Sequence, residues 1–114
     1  MKLRMLLATV LLAASGLAAD ITGTWTAQVV LDAGSGTATF AFTQNGETLS
    51  GTYTGTLGEA QIRGTVKGDQ VEFSFDGGQA GKVTYQGTLE GAAKMKGTTQ
   101  YGQLGSGAFT AEKK

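Results

Sequence analysis

Residues 49–55 read LSGTYTG, and nearly the same phrase returns as IRGTVKG at 62–68, YQGTLEG at 85–91 and MKGTTQY at 95–101. Around each Gly-Thr pair, apolar and polar side chains alternate with period two, the pattern of a strand with one buried face. Thr, Val, Ile and Tyr all suit a pleated, half-buried surface. The glycine is the anomaly, because it occupies the apolar parity and brings nothing to bury. Inward strand glycines have two physical uses: they let a strand bend sharply, and they leave bare backbone for a large neighbouring side chain to cover.

The rest of the chain follows the same rule. Glycine is abundant at 19 of 114 residues and proline is absent. No segment has helical spacing, and turn residues recur roughly every dozen positions, as in a small sandwich or barrel. The pattern predicts strands over 21–31, 37–44, 47–55, 60–67, 70–76, 82–89, 93–99 and 107–113. Short connections between successive strands give an all-β fold, an eight-stranded antiparallel up-and-down meander barrel closed by pairing the first strand with the last.

Three connections predict register. An Asn45-Gly46 turn sets Phe42 against Leu49, Phe40 against Gly51 and Ala38 against Tyr53. A Gly68-Asp69 turn sets Val66 against Val71 and Gly64 against Phe73. A three-residue loop in LEGAA (89–93) sets Leu89 against Ala93, Gly87 against Met95 and Tyr85 against Gly97. Each repeated glycine then lies across from a bulky residue. The predicted inward face carries Trp25, Ala27, Val29, Leu31, Phe40, Phe42, Leu49, Tyr53, Ile62, Val66, Val71, Phe73, Phe75, Val83, Tyr85, Leu89, Met95, Phe109 and Ala111. The outward face is rich in Thr, Gln, Lys and Glu, the inverse of an outer-membrane barrel, whose lipid face is apolar.

Residues 1–19 are set apart. Lys2 and Arg4 precede an apolar run from Met5 to Ala14 and then small residues. This is the arrangement of a cleavable signal peptide, and the run is too short to span a bilayer as a helix. Cleavage after Ala18 or Ala19 leaves a single barrel domain, 20–114, expected to be secreted or periplasmic with no membrane insertion of the mature chain. Without Lys2 and Arg4, seven basic residues face nine acidic ones, a formal charge of −2. No basic block offers itself to nucleic acid. Cysteine is absent, so neither a disulfide framework nor a lipidated cysteine is available.

With the strands placed, ITGTW (21–25) resembles the Gly-x-Trp opening of the calycins, the superfamily of lipocalins and avidins. GSGAFTAEKK (105–114) is similar to the closing strand of avidin-type barrels, and LSGTY (49–53) to their third strand. The resemblance implies a secreted barrel that takes a small ligand, with a basic residue, here Lys113, closing the barrel end over Trp25. Tyr53 matches a ligand-contacting tyrosine of the avidins. Ala27 and Gly107 stand where their first-strand asparagine and last-strand aspartate belong, and Trp25 is the chain's single tryptophan. Biotin is therefore not expected.

The usual nucleophilic and general-base side chains, His and Cys, are absent from the chain. Asp69, Glu72, Asp76 and Glu90 fall in turns or on the outer face, and no metal-ligand spacing or phosphate-binding loop occurs. The reading is a non-enzyme without cofactor or metal. Two functions stay open. A small, mainly apolar ligand could sit in the barrel interior, lined by Trp25, Phe40, Tyr53, Phe73, Tyr85 and Met95. Alternatively, those same residues fill the interior, and the domain acts on a partner through its outer face or loops.

Overall fold

The computed structural model describes residues 20–114, so the signal peptide expected over 1–19 lies outside the described residues. Eight antiparallel strands, β1 (Gly23–Leu31), β2 (Gly34–Asn45), β3 (Thr48–Gly55), β4 (Gly58–Lys67), β5 (Gln70–Asp76), β6 (Lys82–Leu89), β7 (Lys94–Tyr101) and β8 (Ser106–Lys113), follow one another around a closed barrel. Pairing of β1 with β8 closes it, with Val29 opposite Phe109 and Trp25 opposite Lys113. No edge is left to template aggregation. Two single 3-10 turns, Gly78–Ala80 and Gly102–Leu104, interrupt the β5–β6 and β7–β8 connections.

Every residue expected to face inward is buried except Leu31, which is half-buried at a strand end. The Gly68-Asp69 hairpin has the predicted register, Gly64 opposite Phe73 and Val66 opposite Val71. Two other registers differ from expectation by two residues, which preserves every side chain's face but changes its partner. In the β2–β3 hairpin Asn45 pairs with Thr48, so Phe42 faces Gly51 and Phe40 faces Tyr53, while Ala38 faces Gly55 and Leu49 faces Gln44. An Asn-Gly turn would need positive φ at asparagine; here Gly46 alone takes it, at +66°, and Asn45 stays in the strand. The turn is thus Gly46-Glu47, the same glycine-acid pair as Gly68-Asp69.

In the β6–β7 connection Leu89 pairs with Met95, Gly87 with Gly97 and Tyr85 with Thr99. The expected partner of Leu89, Ala93, is used elsewhere: its carbonyl accepts the Lys113 N–H at 2.8 Å, and the loop closes through Glu90 N–H to the Lys94 carbonyl at 2.8 Å.

These registers explain the glycines. A Cβ on Gly64 would overlap the Glu72 carbonyl and lie 2.6 Å from the Phe73 Cβ. One on Gly97 would overlap the Gln86 carbonyl, one on Gly51 the Ala41 carbonyl and one on Gly107 the Val30 carbonyl. At these points strands fold so tightly onto neighbours that a side chain has no room. Gly87 is covered as expected by Met95, whose Cγ is 2.8 Å from the position a Cβ would take, and also by Phe109.

Candidate functional site at the barrel mouth

Because the strands alternate in direction, the chain termini and the turns after β2, β4 and β6 share one end of the barrel. The turns after β1, β3, β5 and β7 share the other. The first end is sealed. Ile21 and Trp25 are both completely buried, and the Trp25 indole N–H donates to the Ile21 carbonyl at 2.9 Å. Ile21 is fixed in turn by its N–H to the Gln44 side-chain oxygen at 2.9 Å. Its segment folds under the barrel, where the sequence pattern had extended the first strand.

Lys113 stands opposite Trp25 in the β1–β8 ladder. Its stem passes over Gly23, 2.8 Å from where a Cβ would be, and its Nζ donates to the Asp20 carbonyl at 3.4 Å. The lysine stem and ammonium thus lie along Gly23 and the Asp20 carbonyl, while Ile21 supplies the apolar plug.

From this plug a column of aromatic rings fills the interior. Trp25 meets Phe42 edge-on at 6.4 Å, and Phe42 meets Phe73 at 5.1 Å. Phe73 stacks on Tyr85 at 4.9 Å, and Phe40 presents an edge to both. Tyr53 stacks on Phe75 at 4.2 Å. Offset and edge-on contacts of this kind add about 0.5–1.5 kcal/mol per pair to the area buried. Trp25, Phe40, Phe73, Tyr85 and Met95, expected as ligand contacts, are all packed within this core at 2 % exposure or less.

Space remains at the opposite end. A pocket of about 190 Å³ opens at the mouth, lined among others by Val29, Gly36, Tyr53, Leu57, Tyr101 and Leu104. Of the six residues expected to touch a ligand, Tyr53 alone lines it. The pocket arises from the inward series of β2: Gly34, Gly36 and Ala38 lie toward the mouth, Phe40 and Phe42 toward the plug. The β1 residues Val29 and Leu31 continue the small-to-medium wall. Leu57, in the β3–β4 turn, packs partly against the core, and its N–H donates to the Tyr53 hydroxyl at 3.2 Å.

Tyr101 is the residue the sequence reading missed. It is buried, borders the pocket, and its hydroxyl hydrogen-bonds that of Tyr85. Its parity with Met95 and Thr99 on β7 was the available signal, but β7 was expected to end at residue 99. Burial pushes both phenols up, Tyr101 to about 12, and the hydrogen bond to Tyr101 raises Tyr85 further. Both therefore stay protonated near neutrality and act as neutral hydrogen-bonding groups. Thr99, among the described residues the one buried polar residue outside the tyrosines, is satisfied by its hydroxyl donating to the Thr84 carbonyl at 2.9 Å. Among the described residues no group of three or more His, Cys, Asp or Glu side chains is placed to hold a metal ion. Comparison with protein-family models, with curated proteins and with solved structures gives no match.

Proposed function

We propose that this chain is an exported, calycin-like, non-enzymatic barrel that binds one small, mainly apolar molecule at its mouth. The observation that carries the reading is the uneven filling of the barrel: one end is plugged and the middle is solid with rings, yet the inward positions of β2 nearest the mouth are glycines. A domain built only for stability gains by filling that space, since buried apolar area contributes about 25 cal/mol per Å². A pocket near 190 Å³ is of the order of the roughly 150 Å³ apolar cavity known to take benzene. It suits a single ring with a small substituent and not a large lipid.

The aromatic column favours a second reading, a filled-core domain that meets a protein partner through its outer face or loops. Toluene separates the two. It should raise the melting temperature, by about 2.7 kcal/mol of stabilisation at a hundredfold excess over Kd. Gly36→Leu should abolish the effect without loss of fold, because a Cβ there meets nothing nearer than the Thr56 hydroxyl at 3.8 Å. Absence of any toluene shift in the parent protein would favour the filled-core reading. Biotin should give no shift, since the mouth has neither additional tryptophans nor a cation for its carboxylate.

A further inference from the structure

The two phenols at the mouth constrain what the pocket can hold, an inference that rests on the proposed ligand site and narrows it. Tyr85 is completely buried, and its hydroxyl meets that of Tyr101. Its cross-strand neighbour Thr99 has already given its proton to the Thr84 carbonyl. A buried hydroxyl whose proton lacks an acceptor costs more than a hydrogen bond returns. Either hydroxyl of the pair can donate to the other, and when Tyr85 donates, the Tyr101 proton is available at the residue that borders the pocket. Tyr53 borders the pocket too, and its oxygen accepts the Leu57 N–H at 3.2 Å.

Charge restricts the occupant from the other side. None of the residues lining the pocket is ionisable at neutral pH. The strand ends and turns around it carry Asp32, Glu59 and Asp76 against Lys82, which stands opposite Asp76 in the β5–β6 ladder. An anion entering the pocket would lose its hydration, find no cation on the wall and face an acidic rim. A cation would lose its hydration against a wall without a carboxylate.

We propose that the mouth pocket selects an uncharged, single-ring molecule bearing a hydrogen-bond acceptor, which accepts from the Tyr101 hydroxyl of the Tyr85–Tyr101 pair. Three probes of nearly equal shape test this: 4-methylbenzamide, 4-methylbenzoate and 4-methylbenzamidinium, titrated at pH 7 by calorimetry beside toluene. The amide should bind at least tenfold more tightly than either ion. A smaller preference, or a preference for either ion, overturns the inference while leaving the mouth a ligand site, as does binding of toluene alone. If neither toluene nor any of the three binds, the ligand site itself falls, and this inference with it.

The donor assignment has its own test. Tyr101→Phe removes the hydroxyl that pairs with that of Tyr85 and should cost stability, so the paired variant Tyr85→Phe/Tyr101→Phe, which removes both hydroxyls and keeps the rings, is the better reagent. It should weaken 4-methylbenzamide roughly two- to tenfold, the usual net effect of one hydrogen bond, and leave toluene unchanged. Equal weakening of both probes, or of neither, overturns the role of the pair.

Discussion

The two ends of this barrel are built from the same eight strands and the same alternation, yet one is closed and the other is not. At the plugged end the inward positions carry Trp25, Phe42, Leu49, Val71 and Met95, and Ile21 folds beneath them. At the mouth the corresponding positions on β2 carry Gly34 and Gly36. Alternation decides which residues face inward, and the size of the inward residues along each strand decides which end has room. The glycines divide accordingly. Gly51, Gly64 and Gly97 occur where strands press together and a side chain has no place, whereas a side chain at Gly36 would meet open space.

The largest effect should come from unplugging the closed end. Ile21→Ala removes a fully buried side chain and should cost about 2–5 kcal/mol in denaturant unfolding, the range for such truncations in a core. It should also red-shift Trp25 emission as water reaches the indole. Leu104→Ala at the mouth, where the side chain is 40 % exposed, should change stability by no more than about 0.5 kcal/mol. Comparable losses at both ends would erase the distinction between them.

Next in size are the glycines. Gly97→Val and Gly64→Val should each cost on the order of 1–3 kcal/mol or more, because the neighbouring backbone must move. Gly36→Val should stay within about 0.5 kcal/mol. If all three melt alike, the glycines are a compositional habit without a structural role.

A smaller effect, confined to alkaline pH, probes the layer between core and mouth. Tyr85 and Tyr101 titrate above their unfolded value near 10. The unfolded chain therefore loses these protons first, and the stability that the two phenols contribute is intact below pH 10 and declines as pH rises toward 12 and beyond. Each group adds at most about 1.4 kcal/mol per pH unit to that slope. The Tyr85→Phe/Tyr101→Phe variant should lose less stability between pH 10 and 12 than the parent. Parallel curves would mean that the phenols are not held neutral by burial.

Much of this architecture was legible before the structure. Period-two alternation and turn spacing located all eight strands, since barrel strands must hide one face and expose the other. The closure of β1 on β8 followed from the need to leave no edge. Register was less legible, because an Asn-Gly and a Gly-Glu turn overlap in the same tetrapeptide and differ only in which residue takes positive φ. Ile21 was misread because a plug outside the ladder looks like one more alternating strand residue. The mouth was hardest to see. Trp25, Phe40, Phe73, Tyr85 and Met95 are all large inward residues, and size marks what fills a barrel, while a pocket is marked by what is small: Gly34, Gly36 and Ala38 on β2. That gradient was present in GSGTATFAF (34–42) and becomes informative once the direction of β2 relative to the plug is known.

The central claim, a barrel sealed at one end and receptive at the other, is tested most directly by titrating the isotopically labelled protein with toluene and following amide and indole N–H resonances. Saturable shifts should concentrate at Ser35, Gly36, Leu57 and Tyr101 through Leu104, while the Trp25 indole N–H, bonded to the Ile21 carbonyl beneath the aromatic column, stays in place. Shifts centred on Trp25, or none at the mouth at saturating toluene, would contradict it.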